Sequence, residues 1–230
     1  MPIGMITCCL GVLLGGWLGS AGRRWIDEGL RGLLPRLFGL TAICNGLLSV
    51  LKAAQMPTVT LAVIAGGWLG HALHLERGVV RALGRALERV PRPAGFDMQQ
   101  YVTVVAVFCA SGFGLYSVMV ESISGDRAQM FSKAMMDLFA AVIFGSSLGV
   151  SVSLIAIPQA AVFTLFFFLA RLLMPVMSGD MLGNFIACGG VLTVAAGMRM
   201  SGIREYPLID MLPALALAVL LTPLLAPVFG

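Results

Sequence analysis

The chain has 230 residues, a net charge of +4 and a mean hydropathy of +0.96; 59% of its residues are hydrophobic and 11% are charged. A soluble domain carries about 25% charged residues, so this composition excludes a soluble globule and leaves no room for a separate enzyme domain beside a membrane anchor. The positive balance is not a nucleic-acid signature, because the basic residues sit in short connections between apolar runs, where they act as topology signals.

The first apolar segment, Ile3–Ala21, lacks a positive leader and has its arginines after it, so it reads as a retained helix rather than a cleaved signal. It ends in GGWLG at 15–19, with Trp17 near the interface. RRWIDEGLRGLLPRL follows and reads as a short interfacial basic helix with Trp25 at headgroup depth. The second segment, Leu34–Leu51, carries Asn45 in mid-span. The third, Pro57–Leu75, repeats GGWLG at 66–70, with Trp68 in the place of Trp17. Adjacent glycines let helix backbones approach closely. The repeat therefore suggests two equivalent helix ends, or else a coincidence in a restricted apolar alphabet.

His71 and His74 follow, too few for a metal site. Then Arg77, Arg81, Arg85 and Arg89 recur every four residues, on one broad helix face. Pro91 and Pro93 stop that helix. A basic amphipathic helix beside membrane spans lies flat at the interface, and it is also a candidate contact for anionic lipid or a regulatory partner.

The fourth segment is Gln100–Val120, the fifth Phe131–Ile155, the sixth Gln159–Met174, the seventh Met181–Met198 and the eighth Leu208–Phe229. The expected fold is an all-α polytopic transmembrane bundle of about eight spans, one integral domain over 1–230. With eight spans, three connections share one face, and 11 of the 15 Lys and Arg lie on it. That face is expected to be cytoplasmic and both termini to face outward.

Buried polar groups are expensive in a bilayer and mark functional candidates. The densest stretch is ESISGDRAQMFSKAMMDLFAAVIFGSSLGVSVSLIAIPQ. Lys133 and Asp137 are four apart on one helix and can pair. Ser146 and Ser147 follow, Pro158 is expected to end that helix, and Gln159 opens the next. With Asn45 and the turn residue Asp126, these are the pathway candidates. The competing reading is an internal ion pair that fixes helix packing. Asn184 and Asp210 are weaker candidates. The five cysteines form no zinc or disulfide pattern and read as small buried hydrophobes. No catalytic or dinucleotide motif is present, so neither an enzyme nor a cofactor is expected.

In order and spacing, the chain resembles the YqgA/YdfK-like family of bacterial inner-membrane proteins (DUF554). The matching residues are the opening GGWLG helix, Phe108-Cys109, Gly125-Asp126, Lys133 with Asp137, SSLGVSVS, Gln159, the glycines at 189–190 and LPAL at 212–215. The chain departs after Phe108-Cys109, where it has ASGFGLYSV. The resemblance implies a polytopic inner-membrane protein. A small transporter or channel for a small solute or ion is the function expected from the intramembrane charges; a membrane scaffold is the alternative. Expected partners are the lipid bilayer and a second copy in a homodimer, with no nucleic acid.

Overall fold

The computed structural model describes residues 2–25, 27–86, 96–110, 112–173 and 175–229, and those residues form helices and turns without strands. An apolar solvent cannot satisfy backbone polar groups, so the chain must satisfy them within helices. The first helix, α1 (Ile3–Ala21), has the expected bounds and passes through a 3-10 turn, Gly22–Trp25, toward α2 (Glu28–Val50). Asp27 caps α2, its carboxylate accepting from the Gly29 N–H at 3.0 Å. The expected short interfacial helix is therefore merged with the span: Pro35 lies inside α2 without ending it.

Helix α3 (Met56–Ala72) meets α4 (Leu75–Ala86) at a bend of 58°, with His74 at φ 52 at the corner. On α4, Arg77, Arg81 and Arg85 are exposed while Val79 and Val80 pack against the core. Arg89 and the stop at Pro91 and Pro93 lie outside the described residues. Helices α5 (Met98–Ala110) and α6 (Gly112–Ser124) occupy the fourth expected segment.

The fifth and sixth segments differ from expectation. Helix α7 (Ala128–Leu148) stops at Gly149, whose φ of 74 and ψ of −160 suit glycine alone. A 3-10 segment, Gly149–Ile155, leads into α8 (Ala156–Leu173). Asp137 and Gln159 are 22 residues apart and hydrogen-bonded at 2.8 Å, whereas a continuous helix would separate them by about 33 Å. The chain thus turns back at Gly149. Ser151 and Ser153 belong to the returning arm rather than to the fifth helix. Pro158 does not end a helix: it is the third residue of α8, in the first turn, where its missing N–H costs nothing.

Helices α9 (Gly179–Met200) and α10 (Pro213–Phe229) complete the bundle. Ser178 caps α9, accepting from the Met181 N–H at 3.2 Å. Among the described residues, five apolar stretches are long enough to cross a bilayer, or six if the bent α3–α4 pair is one span. The expected eight takes the 45-residue apolar stretch Ala128–Leu172 as two segments, one for each arm of its reversal, and adds α10, which has only 17 residues.

Glycine contacts hold the bundle together. A Cβ on Gly19 would collide with the Val142 carbonyl of α7, and one on Gly70 with the Asp210 carbonyl ahead of α10. Gly46 of α2 and Gly190 of α9 face each other in the same manner. Helix association in lipid gains little from hydrophobicity, so this close backbone contact is its main source of packing energy. Both GGWLG copies turn their tryptophans outward: Trp17 is 59% exposed and Trp68 73%. Of Trp25 the backbone alone is described.

The arginine-bearing connections meet at one end. Arg199 pairs with Glu76 at 3.2 Å, donates to the Tyr206 carbonyl at 2.9 Å and reaches Gln99. Ser201 donates to the Arg36 carbonyl at 3.3 Å.

Candidate functional site: a buried ion pair beside a cavity

Lys133 and Asp137 project from one face of α7, 4% and 5% exposed, and their Nζ–Oδ1 distance is 2.9 Å. The other carboxylate oxygen accepts from Gln159 Nε2 at 2.8 Å and from the Cys8 thiol at 3.2 Å. Gln159 Nε2 also lies 3.3 Å from the Phe108 carbonyl of α5. Three elements therefore converge on one carboxylate, α1, α7 and the first turn of α8, and α5 joins them through Gln159. The turn at Gly149 makes this possible, because it returns Gln159 to the level of Asp137.

The pairing explains how a charge resides at this depth. A lone buried carboxylate costs several kcal/mol, and a cation with added hydrogen bonds offsets that cost. Two side chains keep open hydrogen-bonding capacity. Gln159 Oε1 is buried with no hydrogen-bond partner. Among the described residues, Asp137 is the one hydrogen-bond acceptor of Lys133 Nζ, which has three donors.

Lys133 and Asp137 line a cavity of about 270 Å³ between α2 and α7. Asn45 and Ser49 of α2, Lys52 in the turn after it and Ser132 of α7 line it as well. Spacing of four residues puts Thr41, Asn45 and Ser49 on one helix face. Asn45 thus joins the ion pair in one cavity, although it bonds its own helix through Nδ2 to the Thr41 carbonyl at 3.1 Å.

Other expected residues are not brought to this site. Ser146 and Ser147 donate to the Ile143 and Phe144 carbonyls of their own helix, at 2.7 and 3.2 Å. Asp126 is exposed at the start of α7, where it accepts from the Ala128 N–H at 2.9 Å. Asp210 is a helix cap, and Asn184 holds the turn that leads into a helix. Asn184 accepts from the Ala54 and Gln55 N–H groups ahead of α3, at 3.0 and 2.9 Å. Asp210 accepts from the Glu76 N–H of α4 at 2.7 Å. Among the described residues, no three His, Cys, Asp or Glu side chains gather where they could hold a metal ion.

Sequence reasoning missed two residues. Cys8 is fully buried and bonded to Asp137 rather than an inert hydrophobe. Its signal was position: it shares the small-residue stripe of Gly4, Gly15 and Gly19. Glu121 receives the Gly4 and Met5 N–H groups at 2.7 and 2.9 Å and so caps α1. A lone carboxylate within VMVESI was its signal.

The chain is similar to known proteins. The chain is 36% identical over 225 residues to "Uncharacterized protein YqgA" of Escherichia coli (strain K12), covering 95% of each chain. It is 19% identical over 208 residues to "Uncharacterized membrane protein YdfK" of Bacillus subtilis (strain 168), covering 89% of this chain and 88% of that one. No solved structure matches. The family model described as a protein of unknown function, DUF554, matches residues 3–223. That match takes in α1 with its first glycine seam, the Lys133–Asp137–Gln159 cluster and most of α10, and the chain belongs to the DUF554 family of helical membrane proteins.

Proposed function

We propose that this protein is a small transporter or channel of the bacterial inner membrane, passing a small solute or ion, and that it is not an enzyme. The observation that carries this reading is the Lys133–Asp137 pair, buried, joined by Gln159 and bordering a cavity lined by Asn45 and Lys52. Intramembrane charges that face a cavity rather than lipid are the usual mark of a substrate or ion path. The open donors on Lys133, which lines the cavity, suit a small polar guest or water. In this reading the arginine-rich end is cytoplasmic and both termini are periplasmic. The protein works as a homodimer, because Thr41 and Asn45 are exposed in mid-helix on α2 and a second copy would remove them from lipid.

The test is thermal unfolding of purified wild-type protein and Asp137→Asn across a panel of ions and small metabolites. A ligand at a hundred times its Kd stabilises the native state by about 2.7 kcal/mol. The expected result is a ligand that raises the wild-type midpoint and leaves a still-folded Asp137→Asn unmoved. If no ligand acts and Asp137→Asn only melts earlier, the pair is a packing device.

A second reading has its own support. Arg77, Arg81 and Arg85 lie exposed along α4, which suits a scaffold that engages anionic lipid or a partner through this face. Vesicle binding that falls when these arginines are replaced by glutamine, with no solute flux at all, would favour it.

A further inference from the structure

A second cavity, of about 460 Å³, lies at the arginine end and is lined by Arg36, Thr103, Ser147 and Met200 among others. The cavity beside the ion pair is lined by Phe38, Val107, Asp137 and Thr193. The same four elements, α2, α5, α7 and α9, supply both walls in the same order. Along α2 and α5 the residue of the arginine-end cavity comes earlier in the chain, and along the oppositely directed α7 and α9 it comes later, so on each the ion-pair residue lies farther from the arginine end. The step is four residues on α5 and seven on α9, about 6 and 10 Å of helix. The two cavities therefore succeed one another along a single seam.

Phe38 and Phe144 stand between them. Their rings meet edge to face at 5.6 Å and 86°. Phe144 is fully buried, in an apolar core that also holds Ala140 and Ala196. A hydrophobic constriction of this kind closes a path by excluding water.

Both rings sit beside weakened backbone. Pro35, one turn before Phe38, cannot donate to the Arg31 carbonyl, which loosens α2 at that point. Five residues after Phe144, the chain turns at Gly149 into a seven-residue 3-10 segment, longer than such segments usually run and typical of hinges.

We infer that the two cavities are halves of one path through the protein and that the Phe38–Phe144 ring pair is its gate, closed in this conformation. This inference rests on the transport reading above and names its moving part. Displacing Phe38 with α2 joins the arginine-end cavity to Lys133 and Asp137, while the far half stays in place.

Cysteine accessibility tests it. In sealed membrane vesicles, with Cys9 and Cys44 changed to alanine, Thr193→Cys reports on the inner cavity. Vesicles are chosen by an Arg204→Cys control that a charged, impermeant methanethiosulfonate labels from outside. The same vesicles without the Thr193→Cys change set the background.

With both rings present, Thr193→Cys is expected to label slowly. Adding Phe38→Ala should speed labelling about tenfold, the factor carried by one lost aromatic contact. Phe144→Leu is the second probe should Phe38→Ala fail to fold, and it should act in the same direction. The gate is overturned if neither variant changes the rate, or if Thr193→Cys labels as fast as the Arg204→Cys control with both rings intact. Accelerated labelling without flux of any anion, cation or neutral solute keeps the gate and removes the transport function.

Discussion

The two GGWLG seams use one backbone solution and carry different chemistry. In α1, Gly15 and Gly19 press on the backbone of α7; in α3, Gly66 and Gly70 press on the first turn of α10 and the turn before it. A side chain from a distant helix secures the start of each: Glu121 caps α1, and Asn184 accepts from the two N–H groups just ahead of α3. Seven residues before the first glycine of each seam stands a fully buried side chain, Cys8 in one and Val59 in the other. Cys8 donates to Asp137, whereas Val59 packs in an apolar cluster. The α1 seam faces the returning arm that brings Gln159; the α3 seam faces plain α10. Repetition supplied the close packing, and what one partner helix carries made only the first seam a candidate site.

The contrast is broken most severely at the charge. Lys133→Met strands Asp137 as an unpaired buried carboxylate and should cost about 3–5 kcal/mol, read as a lowered melting point in detergent. Lys133→Met with Asp137→Leu should recover most of that loss, since a buried pair adds little over apolar residues of similar size. If the single change is harmless, the pair is not held away from lipid and water as described.

Next come the contacts the seams share. Gly19→Ala and Gly70→Ala each drive a methyl into a carbonyl, and each should cost about 1–3 kcal/mol by thermal unfolding. A large effect at one and none at the other would end the equivalence of the two helix ends.

A third pair sharpens the difference. Gly16 and Gly67 hold the same place in the repeat, yet a Cβ on Gly16 lies 2.5 Å from the Ser153 nitrogen and one on Gly67 meets nothing within 4 Å. Gly16→Ala should therefore lower the melting point. Gly67→Ala should raise it slightly, by up to about 1 kcal/mol, through a better helix propensity.

The smallest effect is at Cys8. Cys8→Ala removes one thiol hydrogen bond, about 1 kcal/mol, whereas Cys8→Ser keeps a donor to Asp137. A ligand found by the thermal screen should weaken with Cys8→Ala more than with Cys8→Ser. Equal loss in both would mean that volume, not the hydrogen bond, is what position 8 supplies.

The residues that were legible share a local cause. The apolar run of α1 shows its bounds because a bilayer helix needs a set length. Lys133 and Asp137 were readable as a pair because helical spacing places them together. Gln159 was named as a pathway candidate, but its contact with Asp137 depends on a reversal at one glycine among several small residues. Asn184 and Asp210 read as intramembrane polar groups, as did Asp137; the distant N–H groups that they accept from are invisible in sequence.

By itself the sequence determined that this is a helical membrane protein, where its charges gather, and that α7 carries a buried ion pair. Those properties follow from solvation and from a repeat of 3.6 residues, which act within a few turns. Tertiary structure alone decided that Cys8 and Gln159 share Asp137, that Asn45 opens onto the same cavity, and that Phe38 meets Phe144 between two cavities. Each of these contacts joins residues far apart in the chain. They exist because Gly149 turns the backbone and because bare glycines let α1 lie against α7.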